Sequence, residues 1–165
     1  MDKKYHNVCN HDEIKSGDLI AWTSVDSFFL KVVRLFTLSE YTHVGIAVVE
    51  DDGSIYVVEA NRPTVEKNLL DKRLPAYHVP MRVNMTKEDI ELLHSYIGKK
   101  YSVLQAALSY INIYINDDKW YCTELAYDFY IKQGYDVRKR LTPTKFMKEA
   151  VYNYGKELNY IESIR

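Results

Sequence analysis

The stretch from Ser39 to Glu59 restricts this chain more than any other. Tyr41-Thr42-His43-Val44-Gly45-Ile46-Ala47-Val48-Val49 is rich in β-branched residues and reads as a strand. Ile55-Tyr56-Val57-Val58-Glu59 reads as its return, after the turn Asp51-Asp52-Gly53. A three-residue hairpin loop commonly sets a type I turn first and a left-handed residue third, the place Gly53 holds. That loop pairs Glu50 with Ser54 and Gly45 with Glu59. His43 and Glu59 then share a sheet face as diagonal neighbours, within reach of long side chains. A two-residue loop at Asp52-Gly53 shifts the register by one and sends them to opposite faces. The residues fit the three-residue loop, although Asp-Gly is also the commonest two-residue signal. The choice decides whether an imidazole and a carboxylate can act together.

The rest of the chain reads as one α+β domain, residues 15–165, preceded by an arm, residues 1–14. The arm has no clear period. His6, Cys9 and His11 could be drawn as three metal ligands, but no fourth ligand lies nearby and the spacing fits no common zinc pattern, so a solvated arm is expected and no metal. Lys15-Ser16-Gly17-Asp18 is a turn signal before a short buried strand, Leu19-Ile20-Ala21-Trp22. Phe28, Phe29, Val32, Val33 and Phe36 mark one stripe of an amphipathic helix over Ser24–Leu38, capped by Ser24 or Asp26. Lys31 and Arg34 are the cations of its polar face, so it is expected to face the core and a membrane-surface role is not favoured. Further extended pieces are expected around Thr64-Val65-Glu66 and Ala76-Tyr77-His78-Val79. Thr86 should cap a helix bearing Ile90, Leu93 and Ile97, with Asp89 as its capping-box partner and Gly98 at its end. A helical region with Val103, Leu104, Ala107, Leu108 and Ile111 follows. Pro143 suits the first position of a last helix behind Thr142, and a final strand is expected over Leu158–Ile161.

Composition removes whole classes of function. The 165 residues carry a net charge of −1 with no long block of either sign, whereas a nucleic-acid groove asks for a basic excess. Two cysteines far apart in sequence make no disulfide framework. Met1-Asp2-Lys3-Lys4-Tyr5-His6 lacks the apolar core of a signal peptide, and the apolar run Val103–Ile115 is too short to cross a bilayer. A cytoplasmic, reducing setting is therefore expected, compatible with a bacterial or phage origin. The 15 tyrosines suit pockets with apolar walls and polar tips.

Trp120-Tyr121-Cys122-Thr123-Glu124-Leu125 ends a polar turn, Asn116–Lys119, and opens a helix. A thiol in the first helical turn is easy to ionise, because free N–H groups and the dipole favour the thiolate. Taken alone, Cys122 reads as a small core residue, since cysteine is among the most buried residue types. A cysteine nucleophile needs a base for its proton, and that base needs a third group to fix its tautomer. His43 and Glu59 offer base and orienter, from adjacent strands. Glu124 is a rival for the acidic role, but in the first helical turn its structural use with the dipole is the better account.

Gly17-Asp18-Leu19-Ile20, Tyr41-Thr42-His43-Val44-Gly45-Ile46, Val58-Glu59-Ala60, Gly98-Lys99-Lys100-Tyr101 and Tyr121-Cys122-Thr123-Glu124-Leu125 occur in that order. Together they resemble the circularly permuted branch of the NlpC-type papain-like cysteine hydrolases, the YiiX-like proteins, from about Lys15 to about Pro143. In that branch the histidine strand precedes the cysteine helix, as here. The resemblance implies a small antiparallel sheet or barrel packed on helices, with Cys122 as nucleophile, His43 as general base and Glu59 as orienter. It implies substrate contacts from Tyr101 and Tyr121, no cofactor, and thiol hydrolase chemistry on amide or ester bonds. The substrate would be a small peptide, another amide or an acyl lipid. Acyl transfer to a lipid and a non-catalytic binding module are the alternatives.

Overall fold

The computed structural model describes residues 7–23, 40–109, 119–139, 142–155 and 158–162. The expected helix over Ser24–Leu38, the end of the helical region at Ile111 and most of the Asn116–Lys119 turn lie outside these residues.

Among the described residues seven strands form one open sheet. They are β1 (Asn7–Val8), β2 (Leu19–Trp22), β3 (His43–Val49), β4 (Ile55–Ala60), β5 (Val65–Leu69), β6 (Ala76–Val79) and β7 (Asn159–Ile161). Their spatial order is β1-β7-β6-β2-β3-β4-β5. All neighbours run antiparallel except β1 and β7, which are parallel. Among the described residues four α-helices accompany the sheet: α1 (Lys87–Tyr96), α2 (Val103–Ser109), α3 (Cys122–Lys132) and α4 (Pro143–Ala150). The fold is α+β, as expected, with an open antiparallel sheet in place of a closed barrel.

The hairpin takes the three-residue loop. Glu50 N–H donates to the Ser54 carbonyl at 2.9 Å, and Gly53 N–H donates to the Glu50 carbonyl at 2.9 Å. Gly53 has φ +83°, the left-handed conformation that glycine adopts without penalty. Ile46 pairs with Val58 and Val49 with Ile55, which continues to Gly45 opposite Glu59. Helix starts also follow their local signals. Thr86 and Asp89 complete a reciprocal capping box, and Thr142 caps α4 with Pro143 inside its first turn.

The pleat divides the core in two. Val44, Ile46, Val48 and Val58 face α3, whose Leu125, Ala126, Phe129 and Tyr130 are buried against them. Burial of each large apolar side chain contributes about 1.5–3 kcal/mol. Ala47, Ile55 and Val57 face the other way, with Ile20, Trp22 and Leu70.

The first residues correct the expectation of a solvated arm. Asn7–Val8 pair with Asn159 and Tyr160, and Cys9 and Ile14 are buried in the second core. The stretch shows no period because it contributes only two strand residues and two anchors. The final strand expected over Leu158–Ile161 is present as β7, and with β1 it forms one edge of the sheet.

Candidate active site

His43 opens β3, and Cys122 opens α3. His43 stands opposite Trp22 in the β2–β3 ladder, and their ring centroids lie 5.5 Å apart. It therefore belongs to the face with Val57 and Glu59, whereas α3 packs on the opposite face. The two residues meet around the end of the strand, because each is the first residue of its element. Cys122 thus reaches the imidazole from the helix-bearing side of the sheet, and not across the His43 face.

The imidazole has two partners. Its Nε2 lies 2.6 Å from Glu59 Oε2, which leaves Nδ1 for Cys122, the thiol whose hydrogen bonding and charge act to raise the imidazole's pKa. Burial alone would lower the pKa of His43. The hydrogen bonds to Cys122 and Glu59, with their charges, outweigh it and hold the imidazolium to about 9. Glu59 is fully buried. Burial pushes its pKa up, but the bonds and charges of His43 and Arg73 prevail and leave it at about 2. The carboxylate therefore stays charged inside the protein, which a buried acid does only when well paired.

Close approach of β3 and β4 makes this possible. A Cβ on Gly45 would stand 2.5 Å from Val57 Cγ1 and 3.0 Å from Glu59 Cβ, so only glycine leaves Glu59 its place.

The nucleophile loop is strapped to the β4–β5 connection. Tyr101 forms a bridge with Trp120, Ser102 N–H donates to the Trp120 carbonyl at 2.8 Å, and Trp120 N–H donates to the Lys100 carbonyl at 2.9 Å. On its other side this segment is tied to the entry of β5, with Tyr101 N–H to the Pro63 carbonyl and Val65 N–H to the Lys99 carbonyl. Tyr121 is the N-cap of α3, with φ −121° and ψ 167°, and its own side chain makes no capping hydrogen bond. The first N–H groups of α3, beginning with that of Cys122, are thereby oriented as a helix N-terminus orients them.

The expected site residues differ in exposure. Tyr101 is half-buried, and Tyr121 is only 2% exposed. An apolar-bodied residue next to a buried helix start is drawn inward, which the motif alone does not reveal. Glu124 sits in the first turn of α3, and it is Glu59 that bonds His43. Sequence reasoning missed Arg73 and Asn68, both of which bond Glu59 Oε1. Continuing the hairpin register would have found Asn68, which pairs with Val57 on the Glu59 face. Arg73 ends a short helical turn, Leu70–Arg73, and no sequence period points to it.

A second thiol, imidazole and carboxylate stand in line elsewhere. Cys9 Sγ lies 3.3 Å from His78 Nδ1, and His78 Nε2 lies 2.8 Å from Asp18 Oδ2. Asp18 also accepts from the backbone N–H groups of Lys15 and Met81, both at 2.9 Å. All three residues are sealed, at 3%, 1% and 3% exposure; Cys122 is itself only 5% exposed, and it is the His43 side chain beside it, at 16%, that reaches the surface. Burial, then the charge of Glu13, pushes the Cys9 thiol up to about 12. Cys9 also belongs to no helix start. Three residue types in line do not make a nucleophile; access and a stabilised thiolate do. Among the described residues no group of three or more His, Cys, Asp or Glu is arranged to hold a metal ion.

Comparisons with known proteins agree with this architecture. A family described as permuted papain-like amidase enzymes, YaeF/YiiX, C92 family, matches residues 13–164. The crystal structure of the metalloprotein yiiX from Escherichia coli O157:H7 superimposes with a TM-score of 0.58 at 21% sequence identity. The match covers 92% of this chain and 89% of that one, and at this identity it carries the fold alone. No curated protein matches the sequence. Among the described residues no helix is long and apolar enough to cross a membrane.

Proposed function

The chain belongs to the permuted papain-like amidase family, a family of cysteine peptidases and amidases, and from that premise we propose that it cleaves amide or ester bonds through Cys122, His43 and Glu59. The observation that carries the reading is one imidazole held between Glu59 and the first thiol of a helix. The Cys122 proton passes to His43, giving a thiolate beside an imidazolium that keeps its charge to about pH 9. The thiolate attacks the substrate carbonyl, and the Cys122 backbone N–H donates to the oxygen that becomes negative. The tetrahedral intermediate collapses to a thioester as His43 gives its proton to the leaving amine or alcohol. Water then attacks the thioester, again giving up its proton through His43, and frees the acid and the thiol. Glu59 stays ionised throughout, holding Nε2 so that Nδ1 faces the sulfur. The substrate class is a small peptide, another amide or an acyl ester, with Tyr101 at the edge of the nucleophile loop.

Incubation with an activated acyl ester, followed by intact mass and peptide mapping, tests the assignment. One acyl adduct on Cys122 is expected in the wild type and none in C122A. An adduct that persists in C122A, or that maps to Cys9, contradicts it.

A further inference from the structure

Glu59 divides its two oxygens between different tasks. Oε2 takes His43, and Oε1 takes Arg73 Nη1 together with Asn68 Nδ2, the latter at 3.0 Å. Arg73 is itself fixed from two sides. Its guanidinium carbon lies 4.5 Å from the Trp22 ring centroid, and its carbonyl accepts the Trp22 indole N–H at 2.8 Å. Trp22 in turn is the cross-strand neighbour of His43. The guanidinium, the indole, the carboxylate and the imidazole thus form one closed circuit, and Arg73 is the group in it that lies farthest along the chain from the strand pair.

We propose that Arg73 is a positioning residue for the reaction, the fixed counter-charge that keeps Glu59 ionised while the proton on His43 comes and goes. The inference rests on the reading of Cys122, His43 and Glu59 given above. A buried carboxylate 2.6 Å from a charged imidazolium has an alternative to ion pairing, which is to take the proton itself. In a dry site two neutral partners cost less than an isolated charge. Transfer to Glu59 would leave His43 neutral, without the proton that the leaving group needs. The Arg73 guanidinium cannot deprotonate, so its charge stands at Oε1 through every step. It makes the neutral acid the worse state, and the proton stays on the ring. Asn68 fixes the rotation of the carboxylate but supplies no charge. The same arrangement favours the thiolate: an ionised Glu59 stabilises the imidazolium, and the imidazolium stabilises the Cys122 sulfur.

The test is the pH dependence of Cys122 alkylation by iodoacetamide in the full chain, resolved from Cys9 by peptide mapping. In R73Q the acid limb should move up by about one pH unit, a rate about tenfold lower at any pH on that limb, while the alkaline plateau holds. R73K, which keeps the charge, should restore most of the wild-type profile. A purely structural role would change the melting temperature and move the two variants alike. Where R73Q does not fold, R73M keeps the stem over Trp22 and replaces it. Superimposable profiles for R73Q and wild type, or an R73K profile displaced as far as that of R73Q, overturn the inference. Wild-type alkylation no faster than that of H43A at any pH overturns the catalytic reading itself, and this inference with it.

Discussion

At the scale of single residues, the site depends on one absence as much as on its polar groups. Gly45 stands opposite Glu59, and the room that a Cβ would fill is already bounded by Val57 Cγ1 and by the Cβ from which the Glu59 carboxylate extends. Gly45→Ala forces Val57 and Glu59 apart, because the nearest atom belongs to a packed valine and the next to Glu59 itself. Overpacking of this kind costs about 1–3 kcal/mol, which a denaturant midpoint reads directly. The same variant should slow alkylation of Cys122 at neutral pH, since Glu59 can no longer meet His43 at its present distance. A fully stable G45A with unchanged thiol reactivity would contradict the close approach. The bond to Cys122 and the bonds of Glu59 also give the residues opposite pH signatures. His43 holds its proton to about 9 against an ordinary 6.5, so its contribution to stability is complete below 6.5 and lost as pH rises through 9. Glu59 is lowered from 4.5 to about 2, so its contribution is complete above 4.5 and lost as pH falls toward 2.

At the scale of elements, two clusters of one chemistry do different work because different elements hold them. The His43 cluster joins a strand start to a helix start, where the helix dipole points its positive end at the site and the ring reaches solvent. The His78 cluster joins β6 to the turn before β2, to the buried Cys9 that follows β1, and to Asn159 of β7 at 3.4 Å. It stitches the edge of the sheet where the chain ends meet. Asp18→Ala strips the partner from His78 and from the N–H groups of Lys15 and Met81. The expected loss is about 1–3 kcal/mol for each buried donor left unpaired, seen as a lower melting temperature. Acylation of Cys122 by an activated ester should persist in that variant below its melting point. Loss of acylation with an unchanged melting temperature would assign the second cluster to the chemistry instead. The hairpin was legible because a period of two and one turn glycine fix parity, and parity alone unites His43 with Glu59. The caps at Thr86 and Thr142 were legible for the same local reason. The His78 cluster was not, since its members come from four separated segments and share no period. Arg73 was hidden likewise: it reaches Glu59 from a short turn whose direction is set by the packing of Leu70 and Trp22.

At the scale of the whole molecule, the order of elements departs from that of ordinary papain-like enzymes, with the histidine strand before the cysteine helix. In the sheet β2 and β3 lie near the centre, while β1 and β7, the first and last described strands, lie together at one edge. The long return from β4 to α3 then passes through the Lys99–Ser102 strap, which ties the entry of β5 to Trp120. His43, Glu59 and Cys122 are far apart in the unfolded chain, so the environment of the imidazole exists only when the whole sheet and α3 are assembled. The titration of His43 therefore reports on the fold and the site together. Its Cε1–H resonance, assigned by comparison with a His43→Gln variant and followed by NMR, is the direct measurement. The native wild type should titrate with a midpoint of about 9, the C122A protein at a lower value, and the urea-unfolded chain near 6.5. A native midpoint already near 6.5, or one that C122A leaves unmoved, would contradict the pairing of His43 with the Cys122 thiol.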